Sequence, residues 1–217
     1  GKPVPEDMPE WLTDPEGRNQ ETEVFSPRRD GWRVLWGEAI AGAFDFSPYR
    51  LVLDAGGATG GVLVGLTGQC AWLKGVVMDL PYSRKGAEAA IASWDATARV
   101  GFLSGSFFSD PYPEGVDCLF MSHIIHDWDD EDCLRLLRHA HSQLPEGAPV
   151  LIQEFLLDDD KCGQILGVYQ WYGMLHGTMG DQRTAGEIAQ LLASAGFVDT
   201  ESRPVDNAQS LVIGWKG

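Results

Sequence analysis

The chain has 217 residues, 44% hydrophobic and 10% aromatic, enough for one domain with a sizeable core and too few for two full domains. No apolar run approaches the roughly 18 to 20 residues needed to cross a bilayer, so no membrane partner is expected. A formal net charge of −16 argues against nucleic acid, whose binders gather Lys and Arg where counterions must be displaced.

The opening Gly1-Lys2-Pro3 lacks the basic-then-apolar plan of a signal peptide, and a cytoplasmic location is expected. Residues 1–30 carry Pro3, Pro5, Pro9, Pro15 and Pro27 among many charges, which predicts an irregular or briefly helical lead-in. From Gly31, Trp32, Leu35, Trp36, Ala39, Ile40 and Ala43 recur at helical spacing, predicting a helix with a bulky buried face. We divide the chain into this N-terminal segment, 1–45, and a main domain, 46–217.

After Pro48, short apolar runs alternate with helical stretches. Strands are predicted over 50–55, 76–78, 100–104 and 116–122, with helices from Gly61 and over 83–94. A helix follows from Asp129 or Asp130, where carboxylates favour the N-terminal end of the dipole. Its buried face is Cys133, Leu136, Leu137, Ala140 and Leu144, and Pro145-Glu146-Gly147 closes it. A fifth strand over 149–155, helical stretches around 165–176 and 184–195, and strands near 197–202 and 210–215 complete the chain. Such alternation predicts an α/β fold, a parallel sheet covered by helices. Cys70, Cys118, Cys133 and Cys162 show no CxxC pairing and fall in apolar or helical stretches, as reduced core thiols do.

Asp54-Ala55-Gly56-Gly57-Ala58-Thr59-Gly60 turns from a strand into a helix and offers backbone N–H groups at the sheet edge where α/β proteins bind ligands. By itself the turn fits a dinucleotide site, a methyl-donor site or a plain tight turn. Asp79, at the end of the second strand, suits a ribose diol in either nucleotide class. The missing G-x-G-x-x-G order, and an acid at position 54 that would repel a pyrophosphate, favour S-adenosylmethionine over NAD.

The ordered segments LVLDAGGATGG (51–61), VVMDLP (76–81), SGSFFSDPYP (104–113), MSHIIHDWDDEDCLRLL (121–137), LIQEFLLDDD (151–160) and GDQRTAGEIAQLLASAGF (180–197) resemble the S-adenosylmethionine-dependent O-methyltransferases that include the caffeate and acetylserotonin enzymes. The resemblance implies a Rossmann-like methyltransferase fold: a seven-stranded, mostly parallel sheet, helices on both faces, last strand antiparallel. It implies cofactor contacts from Asp54, Gly56, Gly57, Gly60, Asp79 and Leu80, with Ser106-Phe107 at the adenine. Position 106 is acidic in the family, and Ser122 stands where many relatives carry a long basic residue, so weaker cofactor recognition is expected.

His123 and His126 lie at the end of the fourth strand, on the same edge as Gly56 and Asp79. By resemblance to the family's HDW element, His126 is the general base and Glu154 the carboxylate that orients it. Activated sulfonium chemistry asks mainly for an aligned acceptor oxygen and removal of its proton, which an imidazole suits. A second orienting glutamate of the family is Gln182 here, which cannot supply charge. Trp128 is expected over the cofactor or in the core, and Trp171, Tyr172, Met174 and His176 facing a flat or apolar acceptor or simply packed inside.

The function implied is transfer of a methyl group to a hydroxyl, phenol or enol, of a small molecule, leaving S-adenosylhomocysteine, with no metal. The short lead-in leaves room for a homodimer or for neighbouring domains of a larger synthase. A cofactor-binding but inactive domain and a nicotinamide oxidoreductase are the competing readings.

Overall fold

The computed structural model describes residues 27–161, Val168 and residues 180–217. The predicted alternation closes into one sheet of β1 (Leu51–Ala55), β2 (Lys74–Asp79), β3 (Val100–Ser104), β4 (Cys118–Ser122), β5 (Pro149–Glu154), β6 (Phe197–Pro204) and β7 (Ser210–Lys216). Their order is β3-β2-β1-β4-β5-β7-β6, with β1 to β5 parallel and β7 antiparallel to both its neighbours.

The central strands read as continuous apolar runs because both faces are covered. Alternate residues point to opposite sides. Val52, Phe120 and Leu151 face the layer of α1 (Pro27–Ala43), α2 (Gly61–Gln69) and α3 (Arg84–Ser93). Leu53, Leu119 and Ile152 face the layer of α4 (Asp130–Gln143) and α5 (Ala185–Ala195).

Helix starts follow local chemistry. The Asp129 carboxylate caps α4 by accepting from the Asp132 N–H at 2.9 Å, with Asp130, Glu131 and Asp132 in the first turn. Thr184 and Glu187 form a reciprocal capping box on α5. The buried face predicted for α4 is the observed one, Leu144 included.

The N-terminal helix differs from expectation. It begins at Pro27, not Gly31, proline being compatible with a first helical turn. Trp32 and Leu35, expected inside, are 58% and 52% exposed, whereas Val34 and Ile40 are buried. The cause is a backbone-to-backbone crossing on α2. A Cβ on Gly37 would collide with the Val62 carbonyl, and one on Gly65 with the Val34 carbonyl. That approach turns Val34, Gly37 and Ile40 inward and carries the bulkier residues outward. It also covers α2, whose residues Gly61 to Thr67 are all buried.

Cys70, Cys118 and Cys133 are buried free thiols. Cys162, the expected helical stretch 165–176 apart from Val168, and residues 1–26 lie outside the described residues. No helix among the described residues is long and apolar enough to cross a membrane.

Candidate active site

Strand order reverses between β1 and β4, and the crevice beyond the carboxyl ends of such strands is where open α/β sheets bind ligands. The glycine turn forms one wall. Gly56 and Gly60 have φ of 78° and 77°, a conformation glycine adopts without cost. The Gly56 N–H donates to the Met78 carbonyl at 2.8 Å, tying the turn to β2. A side chain at Gly56 would strike Ile124 and approach Phe107, and one at Gly57 would strike the Asp54 carboxylate.

Asp54 is fully buried beneath this turn, and neither carboxyl oxygen has a hydrogen-bond partner among the described residues. Burial pushes its carboxyl up to about 7, the Asp79 charge adds to the rise, and Arg33 opposes it. An orphaned buried acid destabilises a fold, and a cationic ligand group beside it removes the penalty.

Asp79 is better satisfied. It accepts from the N–H of Ala58 at 2.9 Å, the N–H of Leu80 at 2.6 Å and the Ser83 hydroxyl at 3.3 Å. Burial still outweighs these contacts and raises its carboxyl. Leu80 is buried beside it.

Ser106 sits where β3 gives way to a turn. Its hydroxyl accepts from the Phe108 N–H at 3.3 Å, and its own N–H donates to Asp110 at 3.0 Å. The Phe107 ring lies beside Gly56 and packs on Phe108, centroids 5.1 Å apart. Asp110, four residues after Ser106, escaped the sequence reading. So did Arg33 of α1, which donates to the Thr59 hydroxyl at 3.4 Å and places a cation beside the glycine turn. Arg33 lies outside the segments that carry the resemblance, and Asp110 lies inside one of them, 104–113, without a role that the resemblance assigns.

On the other side of the crevice, β4 ends at Ser122 and the chain turns sharply at His123, φ 56°, into a 3-10 turn over Ile125–Asp127. His126 and Glu154, expected to meet, do so: Nδ1 lies 2.7 Å from Oε2, and the His126 N–H donates to Oε1 at 3.4 Å. Both side chains are buried. Burial alone would lower His126, but the charge and hydrogen bond of Glu154, aided by Asp127 and opposed by Arg183, raise it above the ordinary imidazole value. Burial would likewise raise Glu154, and the two histidines hold it well below the usual carboxylate range.

Among the described residues, His123, His126 and Glu154 form the one group spaced to ligate a metal ion, with ligating atoms within 4.8 Å. Two ligands of a tetrahedral zinc stand roughly 3.3 Å apart. The 2.7 Å between His126 and Glu154 is instead the length of a charge-assisted hydrogen bond.

The remaining expectations divide. Ser122 donates to Gln153 at 2.8 Å. The Gln182 amide donates to the Phe155 carbonyl, and its Oε1 is buried without a hydrogen-bond partner, the imidazole included, among the described residues. Arg183 leaves Glu154 alone and binds the Ile125, Trp128 and Asp181 carbonyls and the Asp130 carboxylate. Trp128 is a core residue, buried and edge-on to Phe108 with centroids 4.6 Å apart. Trp171, Tyr172, Met174 and His176 lie outside the described residues.

A doubly covered sheet of this order, its last strand antiparallel, with a glycine turn after β1 and an acid closing β2, is the Rossmann-like fold of S-adenosylmethionine methyltransferases. Residues 12–198 match the O-methyltransferase domain, and the chain belongs to that family. It is 35% identical over 195 residues to 3-hydroxy-5-methyl-1-naphthoate 3-O-methyltransferase of Streptomyces sahachiroi, covering 90% of this chain and 55% of the relative. It is 31% identical over 188 residues to acetylserotonin O-methyltransferase of Bos taurus, covering 87% of this chain and 54% of that one. Human N-acetylserotonin methyltransferase, solved in complex with S-adenosylmethionine, superposes with a TM-score of 0.78 at 28% identity, over 92% of this chain and 59% of the other. The chain thus spans little more than half the length of the curated relatives it matches.

Proposed function

We propose that the chain carries the catalytic site of an S-adenosylmethionine-dependent O-methyltransferase, acting on a phenol or enol hydroxyl of a small molecule, with His126 as general base. The observation that carries this reading is the buried His126–Glu154 pair on the same sheet edge as Asp54, Gly56 and Asp79.

The residues present fit the cofactor. The orphaned Asp54 carboxyl suits the cationic amino-acid end, and Gly56, Gly57 and Gly60 let the turn pack tightly over Asp54, Ile124, Val77 and Ile91 where side chains would collide. Asp79 has carboxylate capacity left for a ribose diol, Leu80 and Phe107 give apolar walls, and Ser106 offers the adenine amino group a single hydroxyl. When bound, the cofactor supplies a methyl group already activated on a sulfonium, and S-adenosylhomocysteine is the product.

The protein's own work is alignment and proton removal. Glu154 accepts the hydrogen bond of His126 Nδ1–H, which leaves the lone pair on Nε2, 3.6 Å from Asp127 Oδ1, to take the proton of the acceptor hydroxyl. As that hydroxyl gives up its proton, Glu154 stabilises the imidazolium without itself being protonated. A phenol or enol is acidic enough for a dyad lacking a second carboxylate at Gln182, and the naphthoate relative supports an aromatic acceptor. Assembly as a homodimer or with neighbouring domains, in the cytoplasm, belongs to the same proposal.

A second reading, a cofactor-binding domain without activity, draws on Gln182 and Ser122, whose donors go to the Phe155 carbonyl and to Gln153. Incubation with labelled S-adenosylmethionine and a panel of phenols, enols and hydroxy acids separates the two. Methylation lost in His126→Ala supports catalysis. Full activity in that variant overturns the base, and no transfer to any acceptor despite tight S-adenosylhomocysteine binding favours the inactive domain.

A further inference from the structure

A chain of buried polar side chains runs beneath the dyad, and the methyl-transfer reading leaves most of it without a role. Ser122 donates to Gln153 Oε1 at 2.8 Å, and Gln153 Nε2 donates to Gln209 Oε1 at 2.6 Å. Gln209 Oε1 is therefore an acceptor, and His123 Nε2, 3.0 Å from it, must bring the hydrogen. The other ring nitrogen of His123, Nδ1, lies 3.4 Å from Glu154 Oε2, the same oxygen that meets His126, and it donates there in the ring form that carries a hydrogen on both nitrogens. Gln153 and Gln209 are all but inaccessible, so each amide contact is shielded from water.

The position of His123 is set from three sides. Its left-handed backbone, φ 56°, is uncommon outside glycine and swings the ring back toward β5. Trp36 of α1 and Phe155 flank the ring, with centroids 5.3 Å and 4.9 Å away. Gln209, reaching in from the turn before β7, fixes its far nitrogen.

We propose that His123, held by Gln209 and carrying a hydrogen on both ring nitrogens, is a positioning residue that shares Glu154 with His126 and so limits how strongly that carboxylate holds the base's proton. A carboxylate oxygen that serves two rings gives each of them less of its charge. His123 and His126 both stabilise the Glu154 charge, which is the expected companion of such sharing. The groups facing His126 are Glu154 from β5, Asp127 from its own turn, Arg183 ahead of α5 and His123 at the end of β4. With Gln182 turned to the Phe155 carbonyl, His123 is the second ring that meets Glu154 Oε2 among the described residues. The catalytic consequence rests on the reading of His126 as base, but the effect on its proton does not.

The test is a ring titration of His126 by NMR in histidine-labelled protein, with the signal assigned by its loss in His126→Ala. His123→Phe keeps the ring packing against Trp36 and Phe155 and deletes both nitrogens. Gln209→Leu keeps His123 and removes its anchor. The expected result is a His126 midpoint raised by about half a pH unit or more in His123→Phe, with a smaller rise in Gln209→Leu. S-adenosylhomocysteine affinity should stay within about two-fold of the parent, which a merely structural defect would not spare. A midpoint that stays or falls in either folded variant overturns the proposal. If His123→Phe does not fold, Gln209→Leu decides alone. A raised midpoint alongside a fully active His126→Ala supports the sharing and overturns the base reading instead.

Discussion

His126 Nδ1 and Glu154 Oε2 stand 2.7 Å apart, both side chains buried, joining the turn after β4 to the end of β5. Glu154→Gln preserves the shape of this contact and removes its charge. Burial, which lowers His126, then loses its chief opponent. The acid limb of the pH–rate profile should move to lower pH, and kcat should fall by roughly 100-fold. An unchanged acid limb would show that Glu154 does not govern the base.

The same pair sets a stability window. His126, raised in the folded state, stabilises fully below its unfolded value of 6.5, and this is lost as pH rises through the folded value. Glu154, lowered, stabilises above its unfolded value of 4.5, and this is lost as pH falls through the folded value. Both contributions are present between pH 4.5 and 6.5. Thermal unfolding of Glu154→Gln should show its largest deficit there and a smaller one at pH 9.

Asp54 behaves in the opposite sense. Its carboxyl is raised from 3.8 to about 7, so the free protein loses stability as pH rises across that interval and levels off above it. Asp54→Asn should gain on the parent at pH 8, by on the order of 2 kcal/mol, and not at pH 4. Calorimetry should find S-adenosylhomocysteine affinity reduced about tenfold or more in the same variant. Equal stability differences at both pH values would show that the acid is not strained.

The α1–α2 crossing predicts a contrast between two glycines of one helix. Gly65→Ala drives a methyl into the Val34 carbonyl and should cost about 2 to 3 kcal/mol in urea unfolding. At Gly68 a Cβ meets nothing within 4 Å, and alanine there should be neutral or stabilising by up to about 1 kcal/mol. Similar losses at both positions would mean that helix crossing is not the cause.

Much of this site was legible before any coordinates. Strand ends carry the chemistry, and short continuous apolar runs marked those ends, so Asp54 and Asp79 were placed on one edge from pattern, with Glu154 closing the fifth run. The resemblance then singled out His126 and its partner. What escaped depends on how side chains turn. Periodicity weighs Trp32 and Leu35 as core, but the closest contact between two helices belongs to glycines, which carry no hydrophobic signal. Arg33 reaches the site through three-dimensional proximity, Asp110 closes the local turn at Ser106 through its side chain, and Gln209 sits 83 residues after His126 (209 − 126), beyond any local motif. Gln182 was correctly read as unable to supply charge, but where its amide turns is a matter of packing.

Arg183 binds two carbonyls of the 125–128 turn and the Asp130 carboxylate from a buried position, and a Cβ on Gly180 would run into the His126 carbonyl. The segment before α5 and the turn bearing the base are thus one mechanical unit, though some fifty residues part them in sequence (183 − 130 = 53). For chimeras between relatives, that unit sets where crossovers are tolerated. An exchange that takes 122–130 from one parent and 180–184 from another splits the mount of the base, and grafts meant to alter acceptor choice should carry both pieces together.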